Sequence, residues 1–253
     1  MFNPLDLTGK LILVTGASSG IGRATAIVLS KLGASVILNG RRVEQLHESA
    51  SLMDTSAQHY IEPLDMRDVD AIPGWMQQLS TKYGRGFSGV VHSAGVGSTY
   101  PIRLLNREKM DEVMTVNTYA AMALLRGIAS KGVSESGGSS VVLVTSIAGF
   151  VGGMGKTIYA ASKAALHIAA KSAAVELAGK RIRVNCLAPA WVDTPLLRRA
   201  EIELPSGIPE LRNRQVLGPI PPEDLGIAAA YLLSDAAGFV TGTTMVINGG
   251  YDY

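Results

Sequence analysis

LILVTGASSGIG, residues 11–22, runs from a short apolar, β-branched segment straight into a glycine-rich turn, and a helical pattern follows at once. The chemistry of such a turn needs its glycines. Gly16 permits the tight exit from a strand, Gly20 lets backbone approach a pyrophosphate, and Gly22 lets the following helix pack closely on a sheet. The helix N-terminus then offers unpaired N–H groups to phosphates. The spacing is G-x-x-x-G-x-G, and a glycine turn between strand and helix can also be purely structural. Its place at the first strand-to-helix junction favours the phosphate reading.

Working outward, apolar strand-like runs alternate with helical patterns along the whole chain. Strands are expected at 11–15, 35–38, 58–64, 89–93, 139–145, 181–187 and 244–247, several of them continuously apolar, as in strands covered on both faces. Helices are expected at 20–32, 42–53, 68–83, 108–130, 157–178 and 223–234, with Gly33 placed as a helix C-cap. This pattern predicts an α/β fold: a doubly wound, parallel, seven-stranded Rossmann-like sheet with helices on both faces. With no linker-like run and no internal repeat, residues 1–253 read as one domain. Residues 194–222 break the alternation and read as a substrate lid or binding loop.

Composition narrows the class. The 253 residues are 47% hydrophobic and 17% charged, with net charge +2 from 23 basic and 21 acidic residues. That is enough apolar material for a sizeable core, and it gives no electrostatic reason to expect nucleic acid. Cys186 is the single cysteine, so no disulfide forms within the chain, and its apolar surroundings suggest a buried structural thiol. The N-terminus lacks a basic segment followed by an apolar one, and no apolar run approaches the roughly 20 residues that span a bilayer. A soluble cytoplasmic protein is expected. The four histidines, His47, His59, His92 and His167, show no metal-ligand spacing, so no metal site is expected.

The second strand bears on the choice of dinucleotide. It ends Ile37-Leu38-Asn39-Gly40-Arg41-Arg42, with no carboxylate before Glu44 to select an unphosphorylated ribose. A guanidinium can grip a 2′-phosphate with two hydrogen bonds, which points to Arg41 first and Arg42 second and so to NADP(H) over NAD(H). Both arginines also fit a solvated helix start. Asp65, ending the third strand, could accept a hydrogen bond from an adenine amino group.

Tyr159 and Lys163 are four residues apart in a helical segment and project from one face. An ammonium within about 4–6 Å can lower a neighbouring phenol by roughly one to three units, bringing it towards acid/base work near neutrality. Ser146, in VTSIAG at the end of the fifth strand, could donate to a substrate oxygen beside the tyrosine. A Tyr-x-x-x-Lys pair alone is weak evidence; together with Ser146 and the glycine turn it is strong.

These motifs give the chain its resemblance. TGASSGIG (15–22), HSAG (92–95), Asn117 in MTVNTYA, Ser146, Tyr159 with Lys163, Pro189 in NCLAPAWVDT and the terminal MVINGG make nearly the whole chain similar to the short-chain dehydrogenase/reductases of the ~250-residue type. The resemblance implies Tyr159 as acid/base and Ser146 as the group orienting the carbonyl. It implies Lys163 on the nicotinamide ribose, and Asn117 holding a water that feeds a proton relay. For cofactor binding it implies Gly16, Ser18, Ser19, Gly20, Ile21, Gly22, Asp65, Met66, Ala94, Gly95, Pro189, Val192 and Thr194, with Tyr159 and Lys163. It further implies a homotetramer or homodimer built on the helices of 108–130 and 157–178.

The chain departs from the family pattern at His92-Ser93, where two asparagines are usual, and at Ala190, where glycine is frequent. His92 reads as a satisfied structural histidine, with contact to the active-site region as the alternative. Substrate identity is expected to reside in residues 95–105, residues 147–157 and the loop 194–222. That loop carries Arg198, Arg199, Arg212 and Arg214 against Glu201, Glu203 and Glu210, which fits either an anionic substrate or a solvated charged surface. Similar reductases of carrier-linked 3-oxoacyl groups often carry a basic residue just before Glu176, where Val175 stands. The leading expectation is an NADP(H)-dependent carbonyl reductase. An NAD-linked alcohol dehydrogenase is the enzymatic alternative, and a non-catalytic dinucleotide-binding regulator the remote one.

Overall fold

The computed structural model describes residues 3–198 and 214–251. Their centre is a parallel sheet of seven strands: β1 (Leu11–Thr15), β2 (Ser35–Asn39), β3 (Tyr60–Ile61), β4 (Gly89–His92), β5 (Ser139–Val144), β6 (Ile182–Pro189) and β7 (Thr244–Ile247). The order β3-β2-β1-β4-β5-β6-β7 is that of a doubly wound fold, and every pairing is parallel. Strand order reverses between β1 and β4, so a crevice opens beyond their carboxyl ends.

Because successive strand side chains alternate, each strand feeds two cores. Leu11, Leu13, Ile37, Val90, Val141, Leu143 and Val184 point to one face, covered by α3 (Ala71–Lys82), α5 (Ala120–Ile128) and α6 (Thr157–Leu177). Ile12, Val14, Val36, Leu38, Val91, Val142 and Leu187 point to the other, covered by α1 (Gly20–Lys31), α2 (Val43–Ser51) and α7 (Pro222–Leu233). Two-sided burial explains why these strands read as continuous apolar runs.

Two expected elements differ. The strand expected over 58–64 forms only at Tyr60–Ile61. Pro63 has no N–H to continue the ladder, and side chains replace ladder bonds on both sides. The Val36 N–H donates to His59 Nδ1 at 3.2 Å, and Asn39 Nδ2 donates to the carbonyls of Glu62 and Leu64 at 3.0 and 3.2 Å. The helix expected over 108–130 begins as α4 (Arg107–Met114), where Asn106 Oδ1 caps the Lys109 N–H at 3.0 Å. It then widens into a π-helical turn, Thr115–Tyr119, before resuming as α5. Such turns leave helix backbone groups re-aimed, and they concentrate at functional sites.

The loop expected at 194–222 lies partly outside the described residues, which lack 199–213; Arg199, Glu201, Glu203, Glu210 and Arg212 therefore have no structural account. Of its charged residues that are described, Arg198 reaches Asp193 at 3.3 Å, and Arg214 lies over the Tyr251 ring. Among the described residues, no helix is long and apolar enough to cross a membrane, and no group of His, Cys, Asp and Glu is arranged to hold a metal ion. Cys186 is buried, and burial pushes its thiol up to about 12.

Candidate active site

The glycine turn has the geometry its sequence requires. Gly16 and Gly20 have φ of +69° and +53°, in the region that favours glycine. A Cβ on Gly16 would lie 2.7 Å from the Ala94 nitrogen, and one on Gly22 would lie 2.3 Å from the Gly16 carbonyl oxygen. Only bare backbone fits there. At the start of α1, Ser19 gives no side-chain cap and the first turn holds no acidic residue. Uncapped N–H groups without a competing carboxylate suit the anion that a dinucleotide would bring. Ser18 is held in place by Arg23, whose guanidinium donates to the Ser18 carbonyl at 2.8 Å and also pairs with Glu48.

Arg41 is exposed and follows Gly40, whose backbone packs against the Ser18 side chain, so Arg41 and Arg42 stand at the rim of the turn. The Asp65 carboxylate is engaged by the guanidinium and backbone N–H of Arg67, a pairing that holds its carboxyl below the usual range, with a further contribution from the Arg41 charge. Met66 is buried in the core. Ile21 and Val192 also pack against core residues. Thr194 is buried, with its methyl group 3.3 Å from where a Gly20 Cβ would stand.

At the other end of the crevice, Ser146 caps the short turn after β5, its Oγ accepting from the Ala148 N–H at 3.1 Å and lying 3.5 Å from the Pro189 carbonyl. The same hydroxyl acts on the Tyr159 phenol in the sense that lowers it. Lys163 is buried one turn along α6, with Nζ donating to the Val144 carbonyl at 2.9 Å and lying 5.9 Å from the Tyr159 ring centre. A Cβ on Gly95 would meet Asn117 Oδ1 at 3.2 Å and Lys163 Nζ at 3.5 Å. Ser146, Tyr159, Lys163, Asn117 and Gly95, scattered over the sequence, thus converge.

Two observations bear on the expected roles of these residues. Burial raises the Tyr159 phenol above the usual value, and the opposing contribution comes from the Ser146 hydroxyl. The lysine is itself desolvated, which lowers it to about 8, and its ammonium is turned to the Val144 carbonyl. Secondly, both amide hydrogens of Asn117 are committed, to the Val96 carbonyl at 3.1 Å and Ser162 Oγ at 3.0 Å, while Oδ1 accepts from the Val96 N–H at 2.8 Å. Its side chain fastens the 95–97 loop to the π-helical turn.

Three contributors were not singled out by residue type. Thr15 Oγ1 accepts from the Ala94 N–H at 3.2 Å and ties the ends of β1 and β4. His167, on the same face of α6 as Tyr159 and Lys163, stacks on Phe150 with ring centres 4.2 Å apart; its i, i+4 spacing from Lys163 was the available signal. Lys156 donates to Thr99 Oγ1 at 2.6 Å and to the Ser98 carbonyl at 3.2 Å, and its Nζ lies 5.9 Å from the Tyr159 ring centre. No sequence signal marks it. Through Lys156, and through Leu196 packed against Gly97, the three stretches expected to select substrate touch one another.

The family model described as enoyl-(acyl carrier protein) reductase matches residues 16–252. The chain belongs to the short-chain dehydrogenase/reductase family. It is 32% identical to a 3-oxoacyl-(acyl-carrier-protein) reductase of Thermotoga maritima, over 97% of this chain and 99% of that one. It is 30% identical to a (3R)-3-hydroxyacyl-CoA dehydrogenase of Canis lupus familiaris, with 99% of each covered. A solved structure from Beutenbergia cavernae, provisionally assigned as an NAD(P)-dependent gluconate 5-dehydrogenase and holding NADP at low occupancy, superposes with a TM-score of 0.88 at 30% identity, over 98% of this chain and 99% of that one. The parallel seven-stranded sheet is the Rossmann-like fold of these oxidoreductases.

Proposed function

We propose that the chain, acting as a single domain in a reducing compartment such as the cytoplasm, is an NADP(H)-dependent oxidoreductase that moves a hydride between nicotinamide and a carbonyl or alcohol. The observation that carries this reading is the convergence of Ser146, the Tyr159 phenol and buried Lys163 at the carboxyl edge of the sheet, next to the glycine turn.

In reduction, Tyr159 Oη gives its proton to the carbonyl oxygen while Ser146 Oγ orients that oxygen; in oxidation the phenol oxygen takes the hydroxyl proton. When bound, a nicotinamide would supply or accept the hydride. Lys163, anchored on Val144, would hold the ribose of the dinucleotide and return a proton to the phenol. Asn117 holds the 95–97 loop in register with the π-helical turn, leaving main-chain carbonyls to hold any relay water. Gly16 to Gly22 cradle the pyrophosphate, Arg41 with Arg42 takes the 2′-phosphate, and Thr194 closes over the nicotinamide side. The absence of a carboxylate at the end of β2 supports NADP(H) over NAD(H).

The three relatives described above act, by name, on acyl groups carried by a protein or coenzyme A or on a sugar acid, which supports a 3-oxoacyl, sugar or other ketone as substrate. Exposed Tyr119, Met122, Ile168 and Val175 on α5, its preceding turn and α6 support assembly as a dimer or tetramer. A screen of NADPH oxidation across carbonyl classes, run alongside Tyr159→Phe, tests the proposal. Turnover in the wild type with loss in the variant is expected; turnover by both at equal rate contradicts the role of Tyr159.

A further inference from the structure

Lys156 follows a glycine-rich stretch and stands at the head of α6, where its main-chain carbonyl accepts from the Ala160 N–H at 2.7 Å. Its backbone is thus fixed on the helix that carries Tyr159, three residues on. The side chain reaches across to another loop, with Nζ donating to Thr99 Oγ1 at 2.6 Å and to the Ser98 carbonyl at 3.2 Å. One residue earlier, the Gly155 carbonyl accepts from the Tyr100 N–H at 2.9 Å. Gly155 has φ of +71°, and a Cβ there would stand 2.9 Å from Thr99 Cγ2, so this close approach of the two segments needs glycine. The 95–100 loop is therefore held at both ends. Asn117 takes both main-chain groups of Val96 at its start, and Gly155 with Lys156 takes residues 98–100 at its finish. Between these ties Leu196 fills the space beside Gly97, its Cδ1 2.9 Å from where a Cβ would stand. The loop starts beside Lys163 Nζ and ends at a clasp whose ammonium lies 5.9 Å from the Tyr159 ring centre.

We infer that Lys156 and Thr99 are specificity-determining residues: their hydrogen bond clasps the 95–100 loop to the head of α6 as a fixed wall beside Tyr159, which admits carbonyl compounds with a compact substituent on that side and turns away bulky ones. A loop tied at two points steps aside only by breaking hydrogen bonds, so a large substituent meets a resistance set by the clasp. The inference rests on the oxidoreductase reading above and names the selection that this same site makes.

The test uses two analogues of the best carbonyl substrate that differ in one carbonyl substituent, methyl or phenyl. With NADPH, kcat/KM for each is measured in the wild type, Lys156→Met, Lys156→Arg, Thr99→Val and the Lys156→Met/Thr99→Val double variant, together with pH profiles and thermal unfolding. The wild type is expected to prefer the methyl analogue. Lys156→Met keeps the length of the side chain without its donors, and the preference narrows about tenfold, the scale of one lost hydrogen bond. Lys156→Arg, which still donates, retains the preference; Thr99→Val narrows it; and the double variant goes no further than Lys156→Met, because both changes remove the same clasp. An unaltered preference in Lys156→Met overturns the inference, as does a wild type that reduces the phenyl analogue as well as the methyl one. Equal losses on both analogues in Lys156→Met, with a shifted pH profile and no effect of Thr99→Val, overturn it too, since the lysine would then act on the phenol's charge. Losses that merely follow the folded fraction do the same. A wild type that reduces no carbonyl compound removes the oxidoreductase reading itself, and this inference with it.

Discussion

Lys163 Nζ donates to the Val144 carbonyl at 2.9 Å, which fixes a buried ammonium one helical turn from the Tyr159 phenol. The lysine is thereby held on the last residue of β5, the strand whose end also carries Ser146. Desolvation lowers it to about 8 from an ordinary 10.5.

That depression makes Lys163 a stability cost. Below pH 8 both folded and unfolded chains hold the proton, and the fold bears the full penalty of a buried charge. Between about 8 and 10.5 the unfolded chain binds more protons, so stability rises with pH. Lys163→Met is expected to remove this rise and to gain roughly 1 kcal/mol at pH 7 while losing activity. Thermal melts from pH 6 to 10 measure both.

Tyr159, raised by burial, titrates in the opposite regime. Its neutral phenol is the form that donates, so reductive kcat/KM is expected to be flat through neutral pH and to fall only in alkali. Oxidation needs the phenolate, so oxidative kcat/KM climbs with pH across the same range. Ser146→Ala removes the contribution that opposes the rise and shifts both curves to higher pH. Rate profiles in the two directions provide the measurement.

Arg41→Ala is expected to weaken NADPH binding by about ten- to a hundredfold, the scale of a charge-assisted pair. NADH, lacking the phosphate, is expected to bind the variant and the wild type alike. Titration of both nucleotides against both proteins decides it.

Gly22→Ala puts a Cβ 2.3 Å from the Gly16 carbonyl oxygen, which is backbone and cannot step aside. A loss of roughly 1–3 kcal/mol is expected, read by denaturant unfolding, with dinucleotide affinity falling as the turn opens.

Much of this was legible because it depends on short-range pattern. Continuous apolar strands, the glycine positions and the Tyr-x-x-x-Lys spacing are local facts, and local backbone sterics with two-sided burial translate them directly into the parallel sheet and the phosphate turn. The third strand was overestimated because its pattern carries no record of the His59 and Asn39 side chains that replace its ladder bonds. Tertiary structure alone decided the electrostatics. Helical spacing places Lys163 near Tyr159, yet whether a cation lowers the phenol depends on how much water both have lost and on which carbonyl the ammonium faces. The contacts of Lys156 with Ser98 and Thr99, and of His92 with Thr15, join residues far apart along the chain; only packing of the finished sheet and helices brings such groups within hydrogen-bonding reach.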